Sequence, residues 1–271
     1  MTLDVEDSVA GFLGVQIQRD PKNGQVHMTQ TGLIDCIIEA LGCEDLPPVD
    51  TPADTVLGKD EFGDPAACAF NHASVQGMAW YLERHSRPDL SFAASQTARF
   101  SFNPKRSHEL ALIRIGQYLK KTRKKGLTHE PFNSNSFQMD CCVDGDFMGL
   151  YGKEQRTDPD NVKSRTGYVI NINGCPIIWG SKLQDSISLS TMMAECCALS
   201  STMREVLPLR DLIKVVAKAS GLDDSCISEF RTRTWEDNEG CWTLANMDPG
   251  QHTAHLDQSS TIVRFTGSGR T

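Results

Sequence analysis

The run "SFQMDCCVDGDFMG", Ser136–Gly149, constrains the fold more than any other stretch of the chain. Alternate residues of a strand share a face. Phe137, Met139, Cys141 and Val143 therefore form one apolar face, and Gln138, Asp140, Cys142 and Asp144 form the other. A strand of this kind buries one side, which requires a sheet with another layer packed on it. What a core strand does not account for is three acids, Asp140, Asp144 and Asp146. Asp144 precedes Gly145 at the expected strand end, where it either points into a cleft or lies in solvent.

Further strands are expected over residues 167–172, 176–181 and 229–237, with a long helix over 191–220 bent at Pro208 and a short helix over 239–246. Three strands, a helix, a strand and a helix predict an α/β (α+β) unit with a mixed sheet and flanking helices. Upstream, "GFLGVQIQRDPKNGQVHMTQ" reads as a hairpin around the Asp20–Gly24 turn. An amphipathic helix follows, with Thr31 as its cap and Gly42 as its stop, and helices are expected over 71–84, 89–100 and 105–120. The polar stretch Glu130–Gln138 separates a mainly helical first domain, 1–132, from a second, 137–265.

Glu195 is the second acid of interest. Its neighbours at helical spacing are Ala198, Leu199, Thr202 and Val206, so it sits on the apolar stripe of the long helix. A carboxylate there needs a partner, either a metal ion or an arginine such as Arg165 or Arg204. Asp237 ends "RTRTWED" and either joins these acids or caps the next helix. Oxygen donors at a strand end, on the inward helix face and at the next strand end suit Mg²⁺ or Mn²⁺. Two such ions about 4 Å apart would clamp a phosphodiester.

Net charge is −8 over 271 residues, which excludes a globally basic nucleic-acid coat. A local row remains. Arg114 lies on the helix whose end carries Lys120, Lys121, Arg123, Lys124 and Lys125. These cations suit either phosphate contact or a solvated helix terminus. The ten cysteines form no C-x-x-C, so small apolar side chains in a reduced, intracellular compartment are expected rather than zinc ligands or disulfides. No apolar run reaches the ~18–20 residues of a membrane span. Trp179, Trp235 and Trp242 are expected mostly in the core.

The second domain resembles the ribonuclease H domain of copia-type retrotransposon polyproteins. The resemblance is carried in order by "VDGD", "KSRTGYVI", "IIWGSKLQ", "LSTMMAECCAL" and "EDNEGCW", although Cys196 stands where the family has a tyrosine. It implies an RNase H-like fold, two Mg²⁺ (or Mn²⁺) ions held by Asp144, Glu195 and Asp237, and cleavage of the RNA strand of an RNA–DNA hybrid leaving a 3′-hydroxyl and a 5′-phosphate. RNA would be distinguished by 2′-hydroxyl contacts across the minor groove. The run "MDPGQHTAHLDQSSTIVRF" resembles the family's closing segment, with His252, His255 and Arg264 as counterparts and Asp257 as a candidate fourth acid. Two residues are missing between those histidines, and the family's Arg and Lys are gone; a H-x-x-H metal pair is the alternative role for the two.

The first domain resembles the end of the reverse transcriptase palm, with its thumb and connection, through "FLGVQIQRD" and "SRPDLSFAASQTARFSFNPKRSHELALIRIGQYLKKTRKKGL". The family's polymerase run, Y-x-D-D, would lie upstream of Met1, and Leu3–Asp7 does not match it, so no DNA polymerisation is expected. Other retroelement proteins are expected partners, in a cytoplasmic particle or the nucleus, with no membrane. The alternative is a catalytically inactive remnant that at most binds nucleic acid.

Overall fold

In a computed structural model of the chain, residues 11–12, 14–67, 69–131, 138–221 and 230–247 are described. The chain divides into two compact units, Met1–Pro131 and Phe132–Thr271.

The first unit opens with β1 (Gly11–Phe12), β2 (Val15–Arg19) and β3 (Val26–Thr29), followed by α1 (Thr31–Leu41). Next come α2 (His72–Ser86), a 3₁₀ turn at Pro88–Leu90, α3 (Ser91–Ala98), α4 (Arg106–Lys121) and β4 (Leu127–His129). The strands form one antiparallel sheet in the order β1-β2-β3-β4. Among the described residues the unit is mainly helical with the expected hairpin, and β4 is the strand that its sequence did not suggest. Ile34, Ile37, Ile38 and Leu41 recur at helical spacing on α1 and pack with Val75, Leu82, Leu112, Ile115 and Leu119. Each such side chain stabilises by about 1.5–3 kcal/mol.

Gly42 ends α1 in the left-handed region at φ +62°, as its position after the helix implies. Thr31 is not the cap: it is the first helical residue, and its hydroxyl donates to Gln16 Oε1 at 3.0 Å, tying α1 to β2.

A buried arginine anchors the end of α4. Arg87 is fully buried and donates to both Asp89 carboxylate oxygens (3.0 and 2.8 Å) and to Thr122 Oγ1 and O (2.6 and 3.2 Å). Burial alone would raise the Asp89 carboxyl, but Arg87, the Tyr118 hydroxyl and Lys125 together hold it at about 2.

The second unit contains β5 (Gln138–Asp146), β6 (Arg165–Ile172), β7 (Cys175–Leu183), α5 (Thr191–Ala219), β8 (Arg231–Trp235) and α6 (Glu239–Ala245). The sheet order is β7-β6-β5-β8, with β5 antiparallel to β6 and parallel to β8. Along β5, Met139, Cys141, Val143 and Gly145 are buried, whereas Cys142, Asp144 and Asp146 are exposed. The strand runs two residues beyond Asp144, further than its sequence suggests. The buried face meets Ala198, Leu199, Met203 and Val206 of α5, which continues through Pro208 as one helix.

The cysteines among the described residues are free thiols, with Cys43, Cys141, Cys175 and Cys241 buried. Trp235 and Trp242 depart from the expected core placement, at 53% and 46% exposure. No helix among the described residues is long and apolar enough to cross a membrane.

Replacing Arg87 with alanine leaves Asp89 without its buried partner, a change that costs roughly 3–5 kcal/mol. Hydrogen exchange of the α4 amides in the Arg87→Ala chain is expected to speed up accordingly, and unchanged protection would refute the anchoring role.

Candidate metal centre

The three aspartates of β5 have three different fates. Asp140 is structural: it accepts from Arg233 Nε (2.9 Å), Trp235 Nε1 (3.2 Å) and Gln138 Nε2 (2.7 Å), which clamps β8 to β5 on the exposed sheet face. Asp146 lies over the turn that follows, where a Cβ on Gly149 would collide with its carboxylate. Asp144 belongs to neither arrangement.

Strand register brings Asp144 beside Asp237. The parallel ladder ends at Cys142 paired with Trp235. Two residues further along both strands are Asp144 and Asp237, which the ladder therefore delivers side by side at one sheet rim. Glu195 arrives from α5. A Cβ on Gly145 would come within 2.8 Å of the Ala194 carbonyl and the Glu195 nitrogen, so only glycine lets the first turn of α5 lie this close to β5. The Gly145 N–H lies near enough to the Glu195 carboxylate to favour its charged form. One oxygen from each of Asp144, Glu195 and Asp237 falls within 4.8 Å of the others.

The turn carrying Glu195 is fixed from both sides. Gln184, buried, donates to the Ala194 carbonyl (2.8 Å) and to Thr166 Oγ1 (3.2 Å), and accepts from Ser188 Oγ (2.9 Å). Ser190 caps α5 by accepting from Met193 N at 3.1 Å. Asn238 caps α6 by accepting from Cys241 N at 2.9 Å, so the helix cap falls to Asn238 and not to its neighbour Asp237.

The electrostatics are unbalanced. Burial above all, then the charges of Glu236 and Asp144, push the Glu195 carboxyl up to about 7, against the pull of the Gly145 N–H. Asp144 is also raised, by burial and then by Asp237 and Asp146. Unit charges about 5 Å apart repel by about 3 kcal/mol at an effective dielectric of ~20, so three ionised pairs cost about 10 kcal/mol. That rivals the net stability of a whole domain.

Among the described residues no lysine or arginine forms an ion pair with any of the three acids. Neither Arg165 nor Arg204 is the partner of Glu195. Glu195 is 8% exposed, and its Oε2 is buried with no hydrogen-bond partner. A hard divalent cation fits this donor set: three carboxylates, one with an orphaned oxygen, and no competing base. Asp257, with His252, His255 and Arg264, lies outside the described residues.

The basic row is engaged within the first unit. Arg114 pairs with Asp54 at 3.0 Å, Lys121 with Asp50 and Arg123 with Asp35. Lys120 donates to the Glu44 and Leu46 carbonyls, and Lys125 lies 3.4 Å from Asp89. Lys124 is exposed.

Sequence reasoning passed over two residues, Gln184 and Glu236. Strand alternation carries the signal for the second. Thr232 and Thr234 lie on the half-buried side of β8, and continuing that alternation puts Glu236 on the same side, facing α5.

Two outcomes follow for the metal-free chain. The Glu195 carboxyl is higher in the folded state, about 7 against an ordinary 4.5, so its contribution is fully present below pH 4.5 and is lost as pH rises to 7. The unfolding temperature of the second unit should fall over that window. Glu195→Gln should flatten the fall, and an unaltered pH profile in that variant would contradict it. Gly145→Ala should push α5 from the strand and weaken Mn²⁺ binding at least tenfold, on the order of the loss when a ligand's support is removed; calorimetry would register affinity kept at the wild-type level as a failure.

No protein-family model matches the chain, and no solved structure matches it. Curated proteins do. The chain is 29% identical over 212 residues to the retrovirus-related Pol polyprotein from transposon TNT 1-94 of Nicotiana tabacum, covering 75% of this chain and 15% of the polyprotein. It is 26% identical over 200 residues to the corresponding polyprotein from transposon RE1 of Arabidopsis thaliana, covering 72% and 12%. A third relative, the secreted RxLR effector protein 161 of Plasmopara viticola, is 30% identical over 136 residues, covering 50% of this chain and 89% of the effector. The chain thus spans a small part of the length of the polyproteins it matches.

Proposed function

We propose that the chain is a fragment of a retrovirus-related Pol polyprotein of the kind its transposon relatives represent, and that its second unit is a copia-type, RNase H-like domain that cuts the RNA strand of an RNA–DNA hybrid. The observation that carries the proposal is the convergence of Asp144, Glu195 and Asp237 within 4.8 Å, with a buried, unpartnered Glu195 oxygen among them.

Two magnesium ions, held by these three carboxylates, would supply the Lewis acidity that phosphodiester hydrolysis requires. The residues of the chain do the rest. Asp144 and Asp237 present their oxygens at the open rim of the sheet, where a backbone phosphate can approach. The turn that carries Glu195 is held by its close approach to Gly145 and by the Gln184 bond to the Ala194 carbonyl. That fixed first turn is what keeps the third carboxylate aimed at the rim.

For the hybrid itself, the row Arg114, Lys120, Lys121, Arg123, Lys124 and Lys125 is the proposed phosphate contact of the first unit. Its ion pairs are largely exposed and each is worth only about 0–1 kcal/mol, so phosphates can compete for these cations.

A second reading, a folded remnant that binds nucleic acid without cutting it, draws support from the relative of which this chain covers 89%. A stretch of this sequence type occurs there as most of a short protein.

Cleavage of a labelled RNA–DNA hybrid by the full chain in Mg²⁺ separates the two. The nuclease reading expects cleavage that falls by about 10²-fold or more in Asp144→Asn. Salt-sensitive hybrid binding with no cleavage at any Mg²⁺ or Mn²⁺ concentration would establish the remnant instead.

A further inference from the structure

Two thiols meet where α5 and α6 begin. A Cβ on Gly240 would come within 2.9 Å of Met192 Sδ, so the first turn of α6 rests on the first turn of α5. One helical turn beyond Met192, on the same face, is Cys196. Cys241 follows Gly240. Cys241 is fully buried in the apolar layer between α5 and the sheet, and the half-buried Cys196 packs against that layer. The two sulfurs lie near enough for each to act on the other's proton. Both are free thiols. Cys197 is turned about 100° further round the helix and is not part of that layer.

The pair differs in access. A small oxidant arriving from solvent reaches Cys196, whereas Cys241 has no exposed surface. An accessible thiol with a second thiol behind it is the arrangement that turns a sulfenic acid into a disulfide before further oxidation sets in. The family resemblance does not supply this pair, because Cys196 stands where the family has a tyrosine.

We propose that Cys196 and Cys241 are a modification site, a peroxide-oxidised dithiol whose disulfide joins α5 to α6. The Cys196 sulfur attacks one oxygen of hydrogen peroxide. The O–O bond breaks, and the leaving hydroxide takes up the thiol proton as water. The Cys241 sulfur then attacks the sulfenic sulfur of Cys196. The S–O bond breaks, the S–S bond forms, and the hydroxyl leaves with the Cys241 proton as a second water. Two thiols are oxidised, and one peroxide is reduced to two waters. The bond links the turn that carries Glu195 to the helix that starts beside Asp237, where Asn238 accepts from Cys241 N at 2.9 Å. Oxidation therefore staples the second unit at the end that bears its acids, whether or not that unit cuts a hybrid.

The test starts from the reduced full chain, freed of reductant and treated with one equivalent of hydrogen peroxide. It is then alkylated in denaturant, digested and read by mass spectrometry without reduction. A cross-linked peptide pair holding Cys196 and Cys241 is expected. The unfolding midpoint of the oxidised chain should rise by roughly 5–15 °C and return on adding dithiothreitol. Cys196→Ser should lose both the cross-link and the rise. A cross-link joining other cysteines, or a Cys196 that stops at sulfenic or sulfinic acid while Cys241 stays alkylated, overturns the pairing. An unshifted midpoint in a chain shown to carry the bond overturns the staple. The digest of the wild type reads the pair directly, so the outcome does not depend on the variant folding, and hybrid cleavage is not among the readouts.

Discussion

The second unit depends on one close approach, the first turn of α5 lying against β5 at Gly145. No side chain fits between them. The consequence reaches the site as well, because the turn held there carries Glu195. A larger residue would separate helix from strand and move that carboxylate away from the rim. Packing and site geometry are therefore one constraint here. The Gln184 bonds to Ala194 and Thr166 hold that turn from the other side.

What this constraint holds together is electrostatically unfavourable by itself. Three acids converge with no basic partner among the described residues, and burial keeps Glu195 protonated to about pH 7. Ionising all three would add about 10 kcal/mol of repulsion at an effective dielectric of ~20, and the raised Glu195 is how the metal-free fold escapes that cost. Asp140 shows the contrast. On the same strand and the same face, it is satisfied by Arg233, Trp235 and Gln138 and stabilises the sheet edge. Whether an acid has partners separates the two roles within a stretch of five residues.

Much of this was legible in the sequence, and the reasons differ by residue. Alternation along β5 announced which face Asp144 occupies, and helical spacing put Glu195 on the apolar stripe of α5; both follow from local periodicity. Elements whose definition is non-local were harder. β4 has only three residues and exists because it pairs with β3, about a hundred positions earlier. Thr31 has the chemistry of a cap, but its hydroxyl is drawn to Gln16 on the neighbouring strand. Most of the tryptophans suit a core, but the Trp235 indole N–H is drawn outward by Asp140. Glu236 is readable from the alternation of Thr232 and Thr234 along β8.

The short parallel strand β8 has a consequence of its own. Its five residues place Asp237 on one side of the sheet and Glu236 on the other by phase alone. Losing a single codon between Phe230 and Asp237 would invert that phase, exchanging the outlooks of the two acids while leaving composition and hydrophobicity almost untouched. Loss of two codons would preserve it. Tolerance to deletion is thus asymmetric at this strand: odd-length, frame-keeping losses swap the faces of the two acids, and even-length ones can preserve them.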